Sequence, residues 1–184
     1  MDAEKELIAR CLQGDLLAQE ELYERYKRRM YGICLRYAGN ALEAQDILQE
    51  GFVRAFQQLK QFRFQGPLEA WLRRIFINTA ITLAKRENKF NNKVELTSNL
   101  QVGNDGSDIF SSLNLQEILQ LIQKLPTGYR TVFNLFVMEG YKHKEIGKKL
   151  KISENTSKSQ LSAAKRRLRA QLTENGNDTR RERS

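Results

Sequence analysis

The chain has 184 residues, 40% hydrophobic and 29% charged, which is enough apolar material for one domain or two small ones. No apolar run approaches the roughly 20 residues that cross a bilayer. The acidic N-terminus also lacks the apolar core of a signal peptide, so we expect a cytoplasmic protein without membrane insertion. The two cysteines, Cys11 and Cys34, lie on apolar helical faces and give no pattern for a disulfide or a metal site.

The net charge of +9 is concentrated in two parts of the chain. Residues 141–171 carry ten Lys or Arg against two acids, and residues 63–93 carry seven against two. The segment before the first block is close to neutral, and the segment between the blocks is acidic. Two separate basic blocks favour two contacts with a polyanion rather than one unspecific basic tail.

Helical periodicity predicts four helices in the first half of the chain. Breaks fall at Gly14, at the pair Gly39-Asn40 and at the turn signal Gly66-Pro67. Pro67 suits the first position of the helix that follows it. The four helices are expected at residues 4–13, 17–37, 42–62 and 67–87.

The second half of the chain begins with a segment of different composition. Residues 89–112 are rich in Asn, Ser and Gly without a sustained period, and we expect a flexible linker there. Helical periodicity then resumes, with stops at Pro126 and Gly140. We expect a disordered polar tail over 174–184. The predicted fold class is therefore all-α, with two small helical domains at residues 1–88 and 113–173 joined by the linker.

The stronger basic block has the layout of two helices around a short turn. Ile146 and Leu150 share one face of the first helix, and Ser153 is a suitable N-cap for the second. The second helix is expected to turn four residues inward, namely Thr156, Leu161, Ala164 and Leu168. A polar helix with basic flanks, braced by a first helix, is typical of a helix-turn-helix that reaches the DNA major groove. The alternative is a solvated basic helix on an ordinary bundle.

The first basic block interleaves aromatic and amide side chains with cations. Aromatic rings can stack on bases, amides can contact base edges and cations can hold phosphates, so the mixture favours single-strand recognition. The opposing interpretation, which we favour for Trp71, Ile75 and Phe76, is that these rings and aliphatic groups are core. For the loop from Arg63 to Gly66, with Asn78 near it, we favour a nucleic-acid surface.

No catalytic set is visible in the sequence. His143 is the single histidine, which excludes a His-based triad or a multi-His metal site within this chain, and we expect it on the surface at a helix start. The carboxylates of Asp46 and Glu50 lie four residues apart, but no further ligands are nearby. We therefore expect no metal and no cofactor, and an enzyme is the least favoured function.

Three segments follow one another along the chain: ALEAQDILQEGFVRAF, FRFQGPLEAWLRRIFINTAI and LQLIQKLPTGYRTVFNLFVMEGYKHKEIGKKLKISENTSKSQLSAAKRRL. In this order they resemble the sigma-70 family of bacterial RNA polymerase sigma factors, in the extracytoplasmic-function (ECF) group. The first is similar to the polymerase-binding helix of that family. The second is similar to the segment that opens and reads the −10 element, and the third is similar to the helix-turn-helix domain that binds the −35 element. The resemblance covers about residues 5–172 and preserves order and spacing.

The resemblance implies a role for each matching residue. Those implied to bind core RNA polymerase are Asp46, Gln49, Glu50 and Arg54. Those implied to bind melted −10 DNA are Arg63, Phe64, Gln65, Gly66, Arg73, Arg74, Asn78 and Thr79. Those implied to bind −35 duplex are Lys158, Ser159, Gln160, Ser162, Lys165 and Arg166. The implied partners are core RNA polymerase, promoter DNA and an anti-sigma factor.

Some positions depart from the family pattern. A small residue is usual where Phe64 stands, a polar residue where Pro67 stands, and a basic residue where Gln160 and Ala163 stand. A Gln in the major groove can read adenine, where an Arg would favour guanine. Two other functions stay open on the residues alone: a stand-alone helix-turn-helix regulator, and a helical adaptor that uses its basic helices on anionic lipid.

Overall fold

The structure, a computed structural model, describes the backbone of residues 2–91 and 115–181 and the side chains of residues 3–86 and 116–172. Within these ranges all regular structure is helical, which confirms the predicted fold class. The helices are α1 (Asp2–Leu12), α2 (Leu16–Tyr37), α3 (Ala41–Gln58), α4 (Leu68–Asn91), α5 (Leu115–Gln123), α6 (Thr127–Phe133), α7 (His143–Leu150) and α8 (Glu154–Arg181). The chain divides into two compact units, Met1–Leu83 and Ala84–Ser184.

The first unit is held by side chains from α1 to α4 that meet in one apolar core. The buried residues include Leu7, Ile8, Leu22, Met30, Ile33, Ile47, Phe52, Leu68, Leu72, Phe76 and Ile77. Both cysteines are free and buried, and burial raises the pKa of the Cys34 thiol to about 12. The prediction that they act as small hydrophobic residues is confirmed.

Side-chain caps define where the helices of the first unit begin. The carboxylate of Asp15 accepts hydrogen bonds from the backbone N–H groups of Leu17 and Ala18 at the start of α2. The Asn40 side chain accepts from the backbone of Glu43, and the Glu43 carboxylate accepts in return from Gly39. This reciprocal cap fixes the sharp break between α2 and α3, where the sequence predicted one.

Helices α3 and α4 come into tight contact at Gly51. A Cβ placed on Gly51 would lie 2.4 Å from the ring of Phe76, which is fully buried. The Phe76 ring also packs edge-on against Phe52, with the ring centroids 5.0 Å apart. The absence of a side chain at Gly51 therefore lets the two helices lie against each other with an aromatic ring between them.

The second unit packs α5 to α8 around a smaller core formed by Leu121, Ile122, Leu125, Val132, Phe133, Leu135, Ile146, Leu161, Ala164 and Leu168. Arg130, only 4% exposed, donates hydrogen bonds of 2.9 Å to the carbonyls of Gln123 and Leu125. It thereby satisfies carbonyls at the end of α5 that have no partner within the helix. Burial of this cation was not predicted from the sequence.

Three details differ from the sequence-based expectations. The third helix ends at Gln58 and tightens into a 3₁₀ turn, Leu59–Gln61, instead of running to residue 62. A π-helix, Asn134–Met138, follows α6 in place of a continuous α-helix, and Val137 within it is 45% exposed. Helix α8 continues to Arg181 through most of the range predicted to be a disordered tail. No proline interrupts it there, and adding residues to an existing helix does not repeat the cost of nucleation.

The domain boundaries stay a prediction. The division between the two units falls inside α4, and α4 itself extends three residues into the predicted linker. Residues 92–114, which hold most of the predicted linker, and residues 182–184 of the predicted tail lie outside the described part of the chain.

The contact at Gly51 makes a prediction about stability. Gly51→Ala should destabilise the first unit by about 1–3 kcal/mol, because a buried aromatic ring must move to admit the new methyl group. Gly32→Ala is the matched control, since Gly32 is an exposed position of α2 with nothing near its Cβ site. That change should stabilise by about 0.5–1 kcal/mol. Urea unfolding followed by the fluorescence of Trp71, the single tryptophan, measures both; equal effects would contradict the packing argument.

Candidate nucleic-acid and protein interfaces

Helices α7 and α8 meet at a tight turn in the second unit. Lys151 adopts a left-handed backbone with φ of 60°, and the N–H of Ile152 donates to the carbonyl of Gly147 at 3.0 Å. A Cβ at Gly147 would lie 2.9 Å from the Ile152 carbonyl oxygen, so this position is closed to larger residues. The Ser153 hydroxyl then caps α8 by accepting from the N–H of Thr156 at 2.9 Å. The helix-turn-helix prediction is confirmed in its geometry.

The polar side of α8 holds the residues predicted to contact −35 duplex. Lys158, Ser159 and Arg166 are exposed, whereas Gln160, Ser162 and Lys165 are half-buried. The Lys158 ammonium lies 2.8 Å from the Glu154 carboxylate one turn earlier, and the Ser159 hydroxyl donates to the Thr156 carbonyl. The six residues therefore follow one another along one helix, with the outermost cation paired by an intrahelical carboxylate.

A polar contact behind α8 was missed from the sequence. Ser157 is fully buried, and its hydroxyl lies 2.9 Å from Nδ1 of His143, whose ring stacks on Phe136 at 4.5 Å between centroids. His143 begins α7, as predicted, but it is half-buried rather than on the surface. Burial and then the positive charge of Lys158 hold the pKa of His143 below its ordinary value. The 14-residue spacing between His143 and Ser157 carries no periodic signal that could have revealed this pair.

The loop between the 3₁₀ turn and α4 borders an open pocket in the first unit. The pocket has a volume of about 370 Å³ and is lined by Gln61, Phe62, Arg63, Gln65, Gly66, Pro67, Ala70, Trp71 and Arg74. The rings of Phe62 and Trp71 lie 5.5 Å apart, and the Phe64 ring lies 4.9 Å from Phe62. Trp71 is half-buried against this pocket, so its assignment to the core was wrong, whereas Ile75 and Phe76 are core as predicted.

Helix α4 continues the same surface away from the loop. Arg74 is exposed and lines the pocket, and Asn78 is exposed one helical turn later on the same face. Arg73 is half-buried beside them. Thr79 differs, because it is fully buried and its hydroxyl donates to the Ile75 carbonyl at 2.9 Å. Period-3.6 spacing puts Thr79 on the inner face of α4, so we leave it out of the candidate DNA surface.

A groove between α2 and α3 contains two of the residues predicted to bind polymerase. Asp46 and Gln49 are exposed and line it together with Tyr23, Lys27, Arg28, Tyr31, Gln45 and Leu48, around a volume of about 670 Å³. Glu50 and Arg54 pair along α3, with Nε 2.8 Å from the carboxylate. Sequence reasoning missed the α2 wall of this groove, although Tyr23, Lys27 and Tyr31 recur at steps of four.

Among the residues that the structure describes, no three His, Cys, Asp or Glu side chains come together in a way that could hold a metal ion. Across the same ranges, no helix combines the length and the apolarity needed to cross a membrane.

These features define a helical protein with a helix-turn-helix unit and a separate unit that carries an aromatic pocket. Two family models match the chain: Sigma-70 region 2 over residues 22–90 and Sigma-70, region 4 over residues 115–168. The match to region 2 includes α3, α4 and the pocket loop. The match to region 4 includes the turn and the polar side of α8.

Relatives and solved structures agree with these matches. The chain is similar to the ECF RNA polymerase sigma factor SigW of Bacillus subtilis, at 34% identity over 91% of this chain and 96% of that protein. It is 26% identical to the RNA polymerase sigma-H factor of Pseudomonas aeruginosa, over 89% and 91% of the two chains. The solved sigma factor RpoE of Bartonella quintana, in complex with the anti-sigma factor NepR, matches the fold with a TM-score of 0.50. That match has 19% identity and covers 84% of this chain and 96% of the other.

The chain therefore belongs to the extracytoplasmic-function sigma factors of the sigma-70 family. Members of this family are transcription initiation factors without catalytic activity of their own, in agreement with the expectation that this chain is not an enzyme.

The buried contact of His143 makes a prediction about pH. Because its pKa is lower in the folded state than in the unfolded chain, the unfolded state binds more protons as the pH falls through about 6.5. The second unit should therefore be less stable near pH 5.5 than near pH 7.5. Urea titrations followed by the NMR amide signals of α8 measure this. His143→Gln should reduce the difference, and a difference of the same size in that variant would contradict the assignment.

Proposed function

We propose that this chain directs core RNA polymerase to promoters by contacting −35 duplex with α8 and capturing an unpaired −10 base at the pocket of the first unit. The single observation that best supports this function is the open pocket, which has aromatic walls, exposed cations and an exposed amide on the next helical turn. That combination is suited to an unpaired base attached to phosphates. A regulator that binds only duplex DNA would not need such a pocket.

The pocket is suited to a single nucleobase. Its volume of about 370 Å³ lies within the range of small-ligand sites, and the rings of Phe62 and Trp71 provide flat apolar walls. Gln65 is an exposed amide on the loop, and amides can donate to and accept from base edges. Arg63 and Arg74 are placed to hold the phosphates on either side of a captured base. Asn78 would contact the same strand one helical turn beyond Arg74.

The C-terminal contact would be made to paired DNA. In the helix-turn-helix arrangement the second helix enters the major groove, and its first turns meet the base edges. Lys158, Ser159, Gln160 and Ser162 occupy these turns, while Lys165 and Arg166 follow where the helix approaches the phosphates. Each base contact of this kind contributes about 1–3 kcal/mol of discrimination, so the selectivity of one such helix alone is modest.

The polymerase would bind the outer face of α3. Asp46 and Gln49 are exposed there, and the pairing of Glu50 with Arg54 leaves a face of mixed charge. Such faces suit interfaces that form and dissolve during a cycle. In this proposal the polymerase synthesises RNA, and this chain selects the promoter and holds the melted strand.

Two further features of the proposal concern affinity and control. Once one of the two DNA sites has bound, the other binds within the same complex, so two weak sites together can bind the promoter tightly.

An anti-sigma factor is a proposed partner, by analogy with the solved Bartonella quintana sigma factor and its anti-sigma factor. It would act by covering the polymerase-binding and DNA-binding faces.

The promoter contacts can be tested separately. Run-off transcription on genomic DNA with core enzyme should give start sites that share −10 and −35 sequences. Asn78→Ala should relax selection at −10, and Lys158→Ala should weaken use of −35, each by about tenfold, within the range expected for one lost base contact. If both variants use the same start sites as the unaltered chain, at the same rates, the residue assignments are wrong.

The polymerase contact can be tested with a charge reversal. Asp46→Lys should weaken the association with core RNA polymerase by tenfold or more, since it reverses the charge of an exposed acidic residue on the proposed polymerase-binding face. Glu20→Lys makes the same charge change at an exposed position of α2 outside the groove lining and should have little effect. A pull-down against core enzyme measures both. A chain that binds promoter duplex equally well with and without core enzyme would instead be a stand-alone regulator.

A further inference from the structure

Helix α1 carries a cation to the edge of the proposed single-strand site. The ammonium of Lys5 lies 6.0 Å from the centroid of the Phe64 ring, and Lys5 is exposed. Phe64 belongs to the pocket loop and contacts Phe62, which lines the pocket. Lys5 itself precedes the segment that matches Sigma-70 region 2, which begins at residue 22.

The position of Lys5 is fixed by the packing of its helix. Leu7, Ile8 and Cys11 anchor α1 in the core, each at 5% exposure or less. Directly before Lys5, Glu4 accepts a hydrogen bond of 2.8 Å from the Tyr26 hydroxyl. Burial and the neighbouring Glu4 raise the pKa of Tyr26 to about 12. Lys5 is therefore held beside the loop rather than carried on a loose terminus.

Phe64 has two properties that folding alone does not explain. Its φ is 54°, a left-handed conformation that bulky residues rarely adopt, and 47% of it is exposed. Glycine would adopt this positive φ without steric cost. The exposed part of the Phe64 ring contributes little hydrophobic stabilisation to the fold. Strained and exposed side chains of this kind occur where a ligand uses them.

From these observations we infer that Lys5 and Phe64 form a second part of the single-strand site: Phe64 stacks on the base next to the captured one, and Lys5 contacts the phosphate between them. The inference rests on the proposed function. It adds a contact that is indifferent to sequence, since every base has a flat face and every nucleotide a phosphate. Lys5 and Phe64 lie beside the pocket, where they would contact the part of the strand that leaves it.

The test uses the full chain assembled with core RNA polymerase. The probes are a labelled single strand that carries the −10 bases of a promoter mapped by run-off transcription, and oligothymidylate of the same length. Lys5→Ala should weaken binding of both probes by about fivefold in roughly 0.1 M salt, and it should lower the salt slope by about 0.7, the value for one phosphate contact on a single strand. Arg25→Ala removes a charge from an exposed position of α2 and should change neither quantity.

Phe64→Gly gives an independent readout. It should raise the melting temperature, because glycine accepts the positive φ, and yet weaken binding of both probes by about tenfold, because the stacking ring is lost. Unchanged binding and salt slope in Lys5→Ala would overturn the inference, as would unchanged binding in Phe64→Gly. Failure of the proposed function would appear elsewhere, as an unaltered chain that does not select promoters with core enzyme at all.

Discussion

The contact between Gly51 and Phe76 is the constraint on which the arrangement of the first unit depends. The missing side chain on α3 admits a buried ring from α4, and that ring also meets Phe52. Helix α3 carries the proposed polymerase face, and helix α4 carries the pocket and the exposed amide of Asn78. Because one tight contact sets the distance between these helices, the two surfaces keep a fixed relation to each other. A strand captured on α4 is thereby held at a defined position relative to whatever binds α3.

In the second unit, hydrogen-bonded polar groups help to hold the helices in position. Arg130 closes the end of α5, and Ser157 joins α8 to His143 at the start of α7. These groups are buried and hydrogen-bonded, so their loss would leave unpaired polar atoms in a small core. Gly147 meanwhile allows the backbone after α7 to turn back within contact distance. Helix α8 is positioned by a close turn and by specific hydrogen bonds as much as by apolar packing.

The sequence was sufficient for the helices and for most of their inner faces. Apolar spacing placed Ile146, Leu161 and Leu168 correctly, and the break at Gly39-Asn40 coincides with a reciprocal cap. The sequence could not reveal contacts between residues that lie far apart along the chain. The buried cation Arg130 and the pair of Ser157 and His143 have no periodic signature. Trp71 was assigned to the core because its spacing fits, but it is half-buried and lines an open pocket. The proposed DNA and polymerase contacts stay predictions, supported by exposure and by neighbouring groups.

The ion pair of Lys158 and Glu154 bears on the proposed contact between α8 and DNA. The Glu154 carboxylate lies 2.8 Å from the Lys158 ammonium and reduces the positive field at the start of α8. Exposed pairs within one helix contribute little stability, so the lysine can exchange its carboxylate for a base or phosphate at small cost. The carboxylate also repels phosphates that approach the start of α8. Weak attraction by the second unit alone is what the proposed function requires, because a sigma factor that bound duplex tightly by itself would be titrated by the rest of the genome.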